Sequence, residues 1–97
     1  MTELDKLEEY LKKNNIQYTR VDEDDPVGEW KMRHQIMVPD AYPNAEWDAV
    51  CHKGSYGYEQ GLLEIMGDLV DEKKDGDTVV GYLTAEDVVK RIEERRK

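Results

Sequence analysis

The sequence has no phenylalanine and only one cysteine, Cys51. A single cysteine excludes an intrachain disulfide and fits a reducing compartment such as the cytosol. Without phenylalanine, the aromatic bulk comes from two Trp and six Tyr, each with a polar group that must find a partner or reach water. No apolar run approaches the ~20 residues of a membrane helix, and the stretch from Met1 to Asn15 is charged and amphipathic, unlike a signal-peptide core. Basic residues are also scarce: 14 Lys and Arg stand against 23 Asp and Glu, a net charge of −9. Such a field repels phosphate backbones and anionic membranes, so neither direct nucleic-acid binding nor membrane association is expected. It favours a partner with a basic surface, approached under salt-sensitive steering.

What is present bounds the fold. Ninety-seven residues make one domain, 1–97, able to bury roughly 60 to 70% of the surface its unfolded chain exposes. Apolar and charged residues each make up 38%, and the apolar ones are periodically placed, which argues against disorder.

Thr2 precedes Leu4, Leu7 and Leu11 at helical spacing, and Asp5 completes a capping-box pattern that the Asn14-Asn15 pair would end. Ile16 to Val21 reads as a short strand. Asp22 to Gly28, with four consecutive acids and Pro26, reads as a loop. Trp30, Met32, His34, Ile36 and Val38 then alternate with Lys31, Arg33, Gln35 and Met37, a strand with one apolar face that Pro39 stops. Trp47, Ala49 and Cys51 alternate with Asp48, Val50 and His52 in a second strand that would pair antiparallel with the first. Leu62 to Val70 admits helix or strand, with Leu62 to Met66 favouring a strand. Asp71 to Asp77 is a charged turn and Thr78 to Tyr82 a strand. Thr84 and Asp87 open a last helix with Ala85, Val88, Val89 and Ile92 as its apolar stripe. The expected architecture is α+β, an antiparallel sheet of four to five strands packed by an N-terminal and a C-terminal helix.

No catalytic set emerges, and no enzyme is expected. Cys51 and His52 are strand neighbours and point to opposite faces, so they cannot form a dyad. Cys51 and His34 fall on apolar faces of strands that could pair, the only arrangement consistent with a cysteine-dependent enzyme; a small buried thiol beside a core histidine is the plainer outcome. His34, Cys51 and His52 lack a fourth ligand and metal-site spacing, so no metal or other cofactor is expected. Ser55 with His52 has no nucleophile elbow around it. The Gly/Tyr segment offers more. Lys53, Ser55, Tyr56 and Tyr58 bring a cation, hydroxyls and stacking faces to a loop whose glycines let a ligand approach, as a module binding or sequestering a nucleotide signal would need. The segment lacks the glycine spacing of a phosphate cradle, and a turn packed on a sheet edge is the plainer reading. The acidic runs Asp22, Glu23, Asp24, Asp25 and Asp71, Glu72, with Asp75 and Asp77, lack the oxygen order of a calcium loop. They suit docking on a basic protein.

The segments GSYGYEQGLLEIMG and GYLTAEDVVKRI, with the opening LDKLEEYL and the strand WDAVCHKGS, resemble small uncharacterised proteins encoded by phages and prophages of Gram-positive bacteria. That resemblance implies a phage accessory protein working in the bacterial cytoplasm. It carries over no functional residue. Its setting suggests, by analogy, an acidic inhibitor of a host protein, of the anti-defence kind to which anti-CRISPR proteins belong. Exposed strand edges leave room for a homodimer.

Overall fold

The structure, a computed structural model, describes residues 1–23 and 33–96. The expected strand start at Trp30 and Met32, the expected loop over 24–28 and the acids Asp24 and Asp25 lie outside those residues.

Two local devices open the long helices. Thr2 Oγ1 accepts the Asp5 N–H at 3.1 Å while Asp5 accepts the Thr2 N–H at 3.1 Å, starting α1 (Glu3–Lys13). Thr84 and Asp87 repeat the exchange at 3.1 and 3.0 Å to start α3 (Ala85–Arg95). Each box satisfies two amides that the first helical turn would leave unpaired. At the end of α1, Asn15 takes a left-handed φ of 56°, and the Ile16 N–H donates to Leu11 O at 2.9 Å. This closing turn consumes Ile16, so the following strand begins later than its apolar pattern suggests.

That strand, β1 (Thr19–Glu23), runs through Asp22 and Glu23, where the acid run reads as loop. It is followed by β2 (Arg33–Val38), β3 (Trp47–Val50), β4 (Leu63–Gly67), a one-turn helix α2 (Glu72–Asp75) within the expected charged turn, and β5 (Val79–Leu83). The strands form one antiparallel sheet in sequence order, β1 and β5 being its edges. Both long helices lie on the same face. Leu4, Leu7 and Leu11 of α1 and Val88 and Ile92 of α3 share one buried cluster with Ile36, Val38, Trp47, Ala49, Leu63 and Ile65. Period-two strands turn those side chains to one side and set Gln35, Met37, Asp48, Val50, Glu64 and Met66 on the other. The fold is the expected α+β arrangement, with five strands.

Candidate functional site

The register places Asp22 opposite His34, and the Cys51 N–H donates to His34 O at 3.0 Å. Asp22, His34 and Cys51 therefore stand in a row across the first strands, on the helix-covered face. His34 Nδ1 lies 2.8 Å from Asp22 Oδ1. Arg20, on the same face of β1, meets Asp22 at 2.9 Å, Asp5 of α1 at 2.8 Å and Glu8 of α1 at 3.1 Å. The Tyr18 hydroxyl also donates to Glu8, at 2.9 Å. One guanidinium thus ties the helix to the edge strand with its charge more than balanced.

Protonation follows from these contacts. The Thr2 amide, and after it the Arg20 guanidinium, hold the Asp5 carboxyl down at about 2. Burial pulls Asp22 upward, but hydrogen bonds from His34 and Arg20 outweigh it and leave this carboxyl below its ordinary value. Burial pushes the Cys51 thiol up. A cavity of about 570 Å³ opens onto Arg20, Asp22, His34, Cys51, Tyr58 and Glu59. The row has the order of a nucleophile, base and orienting acid, while partial burial of the sulfur disfavours its thiolate form.

His52 and Ser55 do not assemble a second nucleophile. The Ser55 hydroxyl donates to the His52 carbonyl at 2.7 Å and accepts the His52 N–H at 3.1 Å, a turn closed on the backbone and not on the imidazole. On the open face, Asp48 is buried, and its carboxylate accepts from Gln35 Nε2 at 2.6 Å. Burial raises its pKa against the opposing pull of Gln35 and of the Tyr42 hydroxyl. Among the described residues, no group of three or more His, Cys, Asp or Glu is placed to hold a metal ion. None of the described helices is long and apolar enough to cross a membrane.

Lys53, Ser55, Tyr56 and Tyr58 come together as the wall of a separate cleft of about 600 Å³, joined by Glu59 and by Tyr82 of β5. Tyr58 and Glu59 border both cavities. Tyr82 was not legible as a site residue, because it reads as the end of a strand; the adjoining Gly81, which makes room for Tyr56, is the only signal beside it.

The acidic runs are kept apart. Glu23 is exposed at the end of edge strand β1, while Asp71 and Glu72 are exposed where α2 leads into the opposite edge strand, β5. Asp71 caps α2, accepting the Lys73 and Lys74 amides at 3.1 and 3.4 Å. Asp75 forms a two-pronged pair with Arg91 at 2.9 and 3.0 Å. Asp22 and Asp75 are thus engaged within the fold, and the described acids of the two runs do not make one continuous face. Comparison with protein-family models, with curated proteins and with solved structures returned no match.

Proposed function

We propose that this chain is a non-enzymatic accessory protein that docks on a basic surface of a host protein, acting as an inhibitor of the anti-defence kind. The observation that carries the reading is the unbalanced charge of −9. It is displayed over the outside of the molecule, with Glu9 on α1, Glu23 on one sheet edge, Glu72 beside the other and Glu86, Glu93 and Glu94 on α3, all exposed. Such a surface speeds encounter with a cationic partner and disfavours anionic ones. The phage setting and a bacterial cytoplasm rest on the sequence resemblance alone.

Affinity capture from a bacterial lysate tests the reading at about 0.1 M and about 1 M salt, between which the screening length falls from ~10 to ~3 Å. A basic protein held at the lower salt and released at the higher is the expected result. A co-purifying small molecule with no protein partner would overturn it. That result would favour the sequestering of a nucleotide by Lys53, Ser55, Tyr56 and Tyr58, with a melting temperature that rises with nucleotide concentration.

A further inference from the structure

Tyr56 and Tyr82 are 56% and 60% exposed and border the same cleft. Aromatic rings left in water are an unspent source of contact area, and here backbone contacts tie the two residues together. Tyr82 holds a left-handed φ of 59°, a conformation that bulky residues rarely adopt outside functional or strained sites. Its N–H donates to Tyr56 O at 3.2 Å. The Tyr56 N–H in turn donates to Glu64 Oε1 at 3.2 Å. Gly81 leaves the space that Tyr56 fills, since a Cβ there would collide with the Tyr56 Cβ. Gly57 does the same for Tyr82, whose backbone N would lie 3.0 Å from an added Cβ. Two glycines and two hydrogen bonds thus fix the backbone that carries a pair of exposed rings, which lowers the part of the ordering cost of binding that the main chain would bear.

We infer that this cleft receives an arginine side chain of the basic partner, its guanidinium lying against the tyrosine faces with Glu59 as its counter-ion. The inference rests on the docking reading above and names the chemistry of its contact. A guanidinium is planar, weakly hydrated and stacks on aromatic faces, whereas an ammonium does so less well and a neutral urea group lacks the charge. Glu59 on the wall and Glu64 behind Tyr56 outnumber Lys53 locally, and the net charge of −9 favours a cation at longer range. Lys53 on the same wall makes a phosphate-bearing nucleotide the competing occupant.

The test is a titration of the isotope-labelled chain, followed through its amide resonances, with blocked Gly-Arg-Gly-Arg-Gly, its lysine and citrulline counterparts, and AMP. The arginine peptide is expected to move the amides of Tyr56, Gly57 and Tyr82, the lysine peptide to bind several-fold more weakly, and the citrulline peptide to leave them in place. The double variant Tyr56→Leu with Tyr82→Leu, shown folded by its remaining resonances, is expected to bind the arginine peptide roughly five- to tenfold more weakly, and Tyr56→Phe to bind it unchanged. Equal shifts from the lysine or citrulline peptide, wild-type affinity in the leucine variant, or a response to AMP alone would overturn the inference. Capture of a basic protein by the leucine variant at wild-type strength would overturn the cleft's role while leaving the docking reading intact. Arginine-selective shifts without any captured protein would do the reverse.

Discussion

Beneath α1 and α3, one face of the sheet buries Ile36, Ala49, Leu63 and Ile65 completely, apolar against apolar, whereas the other face buries Met37, Val50 and the carboxylate of Asp48 with no long helix over it among the described residues. On the covered face, removal of apolar area from water supplies the stability, at roughly 25 cal/mol per Å². On the open face a charged group has left water as well, so part of the gain is set against the cost of desolvating it. Gln35 and Tyr42 offset that cost by donating to Asp48. The first face should therefore respond to lost volume, and the second to proton concentration.

The largest effect should come from Leu7→Ala. Leu7 is fully buried where α1 meets the sheet, and the substitution should cost about 2–5 kcal/mol in urea unfolding. Met37→Ala should fall at the lower end of that range, because Met37 is buried outside the main cluster that α1 and α3 share. Equal costs for the two variants would break the comparison, since the open face would then be a second apolar core.

Much of this division is legible in the sequence, and its failures have physical causes. The pairs Thr2 with Asp5 and Thr84 with Asp87 mark both helix starts, because a capping box is a local exchange between residues a turn apart. Alternation from His34 to Val38 and from Trp47 to Cys51 identifies the covered face. The strand favoured over Leu62 to Met66 is β4. The same alternation sets Met37, Asp48 and Val50 on the opposite face without saying that they are buried there. Period-two patterning says which side of a sheet a residue faces, but not whether a loop will lie over it. Tyr42, in the loop between β2 and β3, reaches Asp48 from outside the strand pattern. The candidate sites divide in the same way. Lys53, Ser55, Tyr56 and Tyr58 are contiguous and could be read together, whereas Tyr82 joins them only through the β4 and β5 pairing. Arg20 meets Asp5 and Glu8 only because α1 folds back over β1, a contact that no local spacing announces, whereas Asp22 is its neighbour two residues on along the same strand face.

A smaller effect, of unusual sign, should come from Asp48. Burial lets the folded chain hold the Asp48 proton to higher pH than the unfolded chain does. Its contribution to folding is therefore fully present below the ordinary carboxylate range and is lost as pH rises through the folded value. Asp48→Asn removes the charge and keeps an acceptor for Gln35, so it should stabilise the chain by about 1 kcal/mol at pH 7 and by almost nothing near pH 3. Asp48→Ala leaves Gln35 and Tyr42 without their acceptor and should cost about 1–3 kcal/mol. Chemical denaturation of both variants at the two pH values decides the point. If Asp48→Asn proved less stable than the native chain at neutral pH, the carboxylate would be a net stabiliser and the contrast between the faces would not hold.

The smallest effect should come from Asp5, which titrates in the opposite sense. Its carboxyl is held at about 2, chiefly by the Thr2 amide and then by Arg20, so its contribution is present above the ordinary carboxylate range and lost as pH falls through that value. The side chain is 38% exposed, so water and salt screen the pair with Arg20, and Arg20 keeps Glu8 and Asp22 when Asp5 is neutralised. Asp5→Asn also preserves an oxygen for the Thr2 amide. It should therefore cost no more than about 0.5 kcal/mol at neutral pH and low salt, and less at high salt. Acid unfolding sets the two carboxyls against each other. On acidification the Asp48 contribution grows while that of Asp5 fades, so Asp48→Asn should steepen the loss of stability and Asp5→Asn should flatten it. If both substitutions moved the acid limb in the same direction, the buried carboxyl of Asp48 would be titrating as a surface group, and its face of the sheet would be far wetter than its packing indicates.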